Sequence, residues 1–173
     1  MFRRTPIETV AQLEHFPRSS VGAPSPMVLA SEYSLAVVFY TEKIEAGWDG
    51  ASVRMVGLDS PSEHAVVVTF ERPLAHVFGP PNDEAFAGHR LAAVGLVPYA
   101  AFEVINSKWI HDLERQNAVH PQHDKEHYLN GKRHFILTFH DSTFECVAQG
   151  YSVELVSQSV REAGRACLSR FDA

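Results

Sequence analysis

Residues 133–150 read "RHFILTFHDSTFECVAQG", with an alternating apolar run on each side of a polar centre. A turn at residues 141–142 places apolar side chains opposite one another on one face of a hairpin. The pairs on that face are Phe139 with Phe144, Leu137 with Cys146 and Phe135 with Ala148. The other face pairs His140 with Thr143, Thr138 with Glu145 and Ile136 with Val147. Because a loop of odd length would mix the faces, the pattern predicts an antiparallel hairpin with one buried face.

Segments rich in β-branched and aromatic residues predict further strands outside the hairpin. They cover residues 34–41, 52–58, 63–71, 74–78, 102–105 and 151–156. Three other segments have the caps and the spacing of helices, at residues 5–16, 107–119 and 159–171. The first begins with Thr5-Pro6-Ile7-Glu8, which has the form of a capping box, and Ser107 can cap the second. The polar residues 121–128 predict a loop.

These elements predict an α+β fold built on one twisted, mainly antiparallel sheet of about five to seven strands. We expect helices at the N-terminus, at about 107–119 and at the C-terminus, packed on one face of that sheet. A length of 173 residues and a hydrophobic content of 45% suit a single globular domain over residues 1–173. Residues 1–26, a helix followed by a loop, could be peripheral to it.

The charge of the chain limits the classes of partner. A formal net charge of −6 argues against nucleic acid and against an anionic membrane surface, since both attract clustered Lys and Arg. Arg3 and Arg4 do not precede the apolar run of a secretory signal, and no stretch approaches about 20 apolar residues. We therefore expect a cytoplasmic protein. The two cysteines, Cys146 and Cys167, form no disulfide framework and are predicted to lie in the core.

The chain is rich in histidine, and six of its ten histidines lie between His111 and His140. Imidazole titrates near neutral pH and binds metals, so this density suggests acid–base or metal chemistry. The sharpest local pattern contains His120, His123 and His127, which are candidate ligands for a divalent metal such as zinc. The segment HDKEH lacks the glutamate that HExxH zinc proteases use as a base. A solvated polar loop is the alternative explanation.

The tip of the hairpin supplies the candidate catalytic residues His140, Glu145 and Asp141. His140 and Glu145 would project from one sheet face as diagonal neighbours, about 7–8 Å apart at the backbone. A carboxylate in that position can orient an imidazole and raise its basicity, so His140 would be a general base or a metal ligand. A turn with a solvated His–Glu pair explains the same residues without any function.

A second candidate site lies in residues 80–90, where a proline-rich loop enters a predicted short helix. Two acids and a His-Arg pair could line a ligand pocket there; they are Asp83, Glu84, His89 and Arg90. Ordinary helix capping by Asn82 and the two acids explains part of this segment without a ligand.

Two functions from different classes follow from these residues. The first is a domain that binds a small ligand, or catalyses acid–base or hydrolytic chemistry, at a face of histidines and carboxylates. The second is a non-catalytic protein-interaction domain, or a homodimer, that uses an exposed strand edge or apolar patch. The signatures GxGxxG, GxxxxGK[ST], GxSxG and CxxC are missing from the sequence. The residues therefore leave open whether the chain is an enzyme and whether its partner is a small molecule or a protein.

Overall fold

The computed structural model describes residues 7–42, 55–60 and 63–171. The strands are β1 (Thr9–Gln12), β2 (Met27–Ala30), β3 (Leu35–Tyr40), β4 (Ala65–Glu71), β5 (Ala75–Gly79), β6 (Ala101–Ile105), β7 (Arg133–Thr138), β8 (Thr143–Ala148) and β9 (Gly150–Val156). The helices are α1 (Lys108–Asn117), α2 (Lys125–Leu129) and α3 (Val160–Leu168), with short 3-10 turns at Phe86–Gly88 and Ala92–Val94. None of the helices in these ranges is both long enough and apolar enough to cross a membrane.

The described strands form two antiparallel sheets, which with the three helices confirm the α+β class. One sheet has the order β1-β6-β7-β8-β5, and the other has the order β2-β3-β4-β9. The expectation of one sheet was therefore wrong. All six residues of β3 are buried, as are most of β4, because these strands are apolar on both faces. A strand of that kind needs a layer on each side, which a single half-exposed sheet does not provide.

The largest apolar cluster lies between the two sheets. The four-stranded sheet contributes Leu35, Val37, Phe39, Val66, Val68 and Phe70 to it. The five-stranded sheet and its hairpin loop contribute Ala101, Phe135, Leu137, Phe139, Phe144, Cys146 and Ala148. Phe39 and Phe139 meet edge to face across the interface, with ring centroids 5.2 Å apart. The main core is therefore that of a β-sandwich, closed by aromatic contacts between its layers.

Both outer faces of the sandwich are covered in part. Helix α3 packs on β2, β3 and β4, and it starts with a capping box formed by Ser159 and Glu162. Helix α1 contacts β7 of the other sheet, so the expectation that all helices share one face was wrong. Residues 86–96 also cover the five-stranded sheet, where Phe86, Leu91 and Leu96 pack on its outer face. That segment brings polar side chains over the sheet as well.

The hairpin of β7 and β8 forms with the predicted faces but with a different register. Phe135 lies opposite Cys146, Leu137 opposite Phe144 and Ile136 opposite Glu145. The loop is residues 139–142, in which the Phe139 amide donates to the Ser142 carbonyl at 2.9 Å. The pairing is shifted by two residues from the expected one, and an even shift leaves each side chain on its predicted face.

The prediction of an N-terminal helix at residues 5–16 was wrong over residues 7–16, the part that the structure describes. Residues Thr9–Gln12 form β1, which pairs with β6 at the edge of the five-stranded sheet. A capping box contributes about 1 kcal/mol, and the sheet instead satisfies the backbone of four residues and packs Val10 against the outer-face cluster. Thr5 and Pro6 lie outside the described residues.

Two further local predictions differ from the structure. Of the strand expected at 52–58, residues 52–54 lie outside the described residues, and 55–58 contain no strand. Within the loop expected at 121–128, the side chain of Asp124 accepts the His127 amide and starts helix α2. The single-domain organisation of residues 1–173 stays a prediction.

We expect Phe139→Ala to lower the free energy of unfolding by about 3–5 kcal/mol, because a large buried ring between the sheets would leave a cavity. Urea unfolding followed by circular dichroism measures the change. Phe78→Ala is the matched control, since Phe78 lies on edge strand β5 and is 43% exposed. Equal losses in the two variants would contradict the sandwich core.

Candidate functional site

The carboxylate of Glu145 is the centre of a polar cluster on the outer face of the five-stranded sheet. Glu145 lies on β8 with its side chain 18% exposed. The Nε2 atom of His134, on β7, is 2.8 Å from Oε2, and the Nε2 atom of His89 is 3.2 Å from Oε1. Arg90 Nη2 also donates to Oε2, at 3.3 Å. Three donors from two separate parts of the chain therefore hold one carboxylate.

In both histidines, the partner of Nδ1 determines which ring nitrogen carries the proton. The Nδ1 atom of His89 accepts the Leu91 amide at 3.1 Å, so the proton of this ring is on Nε2. The hydroxyl of Ser107 accepts the Ile110 amide and donates to Nδ1 of His134 at 2.8 Å. Both imidazoles therefore donate through Nε2 to Glu145.

The surroundings of Glu145 favour its ionised form. Burial on its own would raise the pKa of this carboxyl. The hydrogen bonds from His134 and His89, together with the charge of Arg90, outweigh burial and hold the pKa well below its ordinary value. The group is therefore a fixed negative charge at neutral pH and not a proton donor.

Arg90 connects Glu145 to the start of helix α1 through Glu8. Arg90 Nη1 donates to both carboxylate oxygens of Glu8, at 3.1 and 3.0 Å. Oε1 of Glu8 also accepts the backbone amide of Lys108, the first residue of α1, at 2.7 Å. Glu8 is only 7% exposed, and it satisfies one of the amides that a helix start leaves without an intrahelical partner. The guanidinium is thus held between two carboxylates.

A cavity of about 370 Å³ opens beside this network. The residues lining it are Glu8, Val77, Arg90, Lys108, Trp109, Asp112 and Glu145. The Trp109 indole and the buried His134 ring also form a T-shaped pair, with centroids 5.0 Å apart. The cavity has the size of a small-molecule site and combines charged groups with one aromatic and one aliphatic wall.

A second polar cluster forms around Asp83, Tyr99 and His140. The Tyr99 hydroxyl donates to Oδ2 of Asp83, and Nδ1 of His140 lies 3.0 Å from both of those oxygens. Burial and the Asp83 carboxylate raise the pKa of Tyr99 to about 12. The hydrogen bond from Tyr99, followed by that of His140, lowers the pKa of Asp83 against the opposing effect of burial. Tyr99 is therefore a donor and Asp83 an acceptor at neutral pH.

The structure does not bring His140 and Glu145 together, so the expected pair was wrong. His140 is in the hairpin loop and bonds to Asp83, whereas Glu145 bonds to His134, His89 and Arg90. The two-residue shift in register moves Ile136, not Thr138, opposite Glu145 and leaves His140 beyond the paired strands. Asp141 is exposed, with Oδ1 3.9 Å from Nε2 of His140.

Three of the four residues expected to line a pocket divide between the two clusters. His89 and Arg90 belong to the network of Glu145, and Asp83 belongs to the cluster of His140. Glu84 is exposed. The side chain of Asn82 accepts the Ala85 amide at 3.0 Å and stabilises a turn before the 3-10 segment rather than an α-helix.

Two of the three histidines expected to bind a metal have ring partners of their own. His123 donates through Nε2 to Glu114 at 2.8 Å, and Nδ1 of His120 accepts the Gln122 amide. His127 lies in helix α2. Across residues 7–42, 55–60 and 63–171, no group of three or more His, Cys, Asp or Glu side chains could hold a metal ion.

Sequence reasoning gave no site role to Glu8, Tyr99 or Trp109. Glu8 was assigned to a helix cap, and its isolated position before β1 carries no pattern that points to Arg90. Tyr99 follows Pro98 and has a φ of +60°, a left-handed conformation that is uncommon for a residue with a side chain. Comparison of the chain with protein-family models, with curated proteins and with solved structures gives no match.

We expect Glu145→Gln to lower the free energy of unfolding at pH 7 by about 2 kcal/mol, since an amide leaves the donors around it imperfectly paired. The folded pKa of Glu145 lies below its ordinary value of 4.5. Its contribution is therefore fully present above about pH 4.5 and is lost as the pH falls towards the folded pKa. Urea unfolding at several pH values should show the gap between variant and wild type narrowing in acid.

Glu154→Gln is the control for that experiment. Glu154 is an exposed carboxylate whose pKa is lowered by a surface hydrogen bond from Arg170. We expect a loss below about 1 kcal/mol, because exposed ion pairs contribute little. A gap for Glu145→Gln that does not change between neutral and acid pH would contradict the role given to this carboxylate.

Proposed function

We propose that this chain binds a small organic anion with a flat apolar part in the cavity beside Glu145. The observation that carries the proposal is a cavity of about 370 Å³ whose anchoring guanidinium, Arg90, is held in place before any ligand arrives. Preorganised polar groups in a partly apolar cavity are typical of ligand sites, because little ordering is left for the binding step.

The hydrogen-bonding capacity that remains in the cavity favours an anion. The carboxylates of Glu8 and Glu145 already accept from Arg90, the Lys108 amide and two histidines. Asp112 is paired with Arg115. Lys108 has spare donors, because its side chain is 66% exposed and its ammonium lies 3.9 Å from the nearest carboxylate oxygen of Glu8. An acceptor-rich ligand therefore finds free donors on Lys108 and on the N–H groups of Arg90 that bond to neither Glu8 nor Glu145, while a cation finds carboxylates that already have partners.

The apolar walls of the cavity indicate the chemistry of the uncharged part of the ligand. Trp109 offers an indole surface and Val77 an aliphatic one. An aromatic carboxylate would place its ring against these two side chains and its charge towards Arg90 and Lys108.

Benzoate and benzylamine, which are similar in size and opposite in charge, test the proposal. We expect benzoate to bind in about the millimolar range at low ionic strength and benzylamine to bind more weakly. Fluorescence of Trp109, measured in a Trp48→Phe background, reports occupancy of the cavity directly. Binding of benzylamine in preference to benzoate, or no response to either, would overturn the proposed ligand class.

Lys108→Gln should weaken benzoate binding about threefold, because it removes an exposed cation without disturbing Arg90. Lys125→Gln is the matched control. Lys125 is 63% exposed and also lies near a buried glutamate, Glu114, but it is not among the cavity-lining residues. Equal effects of the two substitutions would show a general loss of charge rather than loss of a cavity contact.

A further inference from the structure

The cluster of Asp83, Tyr99 and His140 shares no residue with the cavity, and it leaves one atom available for chemistry. The Tyr99 hydroxyl donates its hydrogen bond to Oδ2 of Asp83. Nδ1 of His140, 3.0 Å from that carboxylate oxygen and 3.0 Å from the Tyr99 oxygen, can then only donate. With the proton on Nδ1, the lone pair of the imidazole is on Nε2.

The Nε2 atom belongs to a partly exposed side chain and has no hydrogen-bond partner among the described residues. The His140 side chain is 41% exposed, and the nearest charged oxygen to Nε2, that of Asp141, is 3.9 Å away and too distant for a hydrogen bond. This differs from His89 and His134, whose two ring nitrogens are both occupied. His140 is therefore an imidazole with a fixed tautomer and an open basic nitrogen.

The geometry points to a catalytic activity separate from binding in the cavity: we propose that His140 acts through Nε2 as a general base on a neutral or cationic small molecule. Asp83 and Tyr99 are positioning residues, since they hold the ring and the carboxylate stabilises the imidazolium that forms. The left-handed backbone of Tyr99 agrees with a side chain fixed for this role.

The charge around the base defines the class of substrate. Asp83 contacts the ring, Asp141 faces Nε2, and Glu84 is exposed next to Asp83. These carboxylates repel an anionic substrate and stabilise positive charge that develops on the ring. A molecule with an acidic C–H or O–H and no negative charge is therefore preferred, in contrast to the anion proposed for the cavity.

The ring-opening elimination of 5-nitrobenzisoxazole, a neutral molecule, measures proton abstraction by a base and needs no other catalytic group. Nε2 takes the proton from the ring carbon, and the electron pair of that C–H bond becomes the third bond of a nitrile. The N–O bond breaks with its pair on oxygen, which gives a coloured phenolate, and the imidazolium returns its proton to water. No nucleophile or additional reactant takes part.

We expect His140→Gln to lower the rate of this elimination about tenfold or more, because a positioned base is removed. His64→Gln is the control, and its rate should stay within about twofold of wild type. His64 is also exposed, but its Nδ1 atom lies 3.3 Å from the Ser157 hydroxyl, whereas Nδ1 of His140 lies 3.0 Å from a carboxylate oxygen. Equal rates for wild type and His140→Gln would overturn the proposal.

Asp83 is tested by the pair Asp83→Asn and Asp83→Glu, with circular dichroism used to verify the fold. We expect Asn to lower the rate about tenfold and Glu, which keeps the carboxylate, to recover part of it. Nitrogen-15 NMR of the wild-type chain needs no substitution and reports which ring nitrogen of His140 carries the proton. A proton on Nε2, or a wild-type rate for Asp83→Asn, would refute the assignment.

Discussion

Because side chains alternate along β8, the carboxylate of Glu145 points to the outer face of the five-stranded sheet, which another segment covers. Phe144, Cys146 and Ala148 enter the sandwich core, so the residues between them must point to the other face. Glu145 is one of these and lies beneath the segment that carries His89 and Arg90. A charge in that position is destabilising unless it is paired and hydrogen-bonded. The arrangement of the outer face follows from this requirement.

The donors that satisfy Glu145 connect elements distant in sequence. His134 comes from the adjacent strand, while His89 and Arg90 come from the covering segment. Arg90 then reaches Glu8, which in turn accepts an amide at the start of α1. The covering segment, the N-terminal strand and the helix are therefore tied to one carboxylate. The cavity lies where these three elements meet, which explains why its charged walls are held in place.

Several patterns of local origin were read correctly from the sequence, whereas long-range pairing was not. The faces of the β7–β8 hairpin follow from strict alternation, which a register shift of two residues does not alter. The Ser107 cap and the apolar side of α3 are also local. The N-terminal capping box was a local signal of about 1 kcal/mol that pairing with β6 outweighed. The contacts of Glu8 with Arg90 and Lys108 span 82 and 100 residues, and a single sequence carries no pattern for such distances.

The two polar clusters differ in which hydrogen-bonding groups they leave without a partner. This difference gives the two clusters different chemistry. Around Glu145 each histidine nitrogen has a partner, so the imidazoles act as fixed donors and the spare capacity lies with Arg90 and Lys108. Around Asp83 the ring of His140 is held on one side alone, so its spare capacity is a lone pair. Groups with spare donors favour binding of an anion, whereas an oriented imidazole with a free nitrogen favours removal of a proton. Histidine density alone does not distinguish these cases, because the distinction depends on what occupies the second nitrogen of each ring.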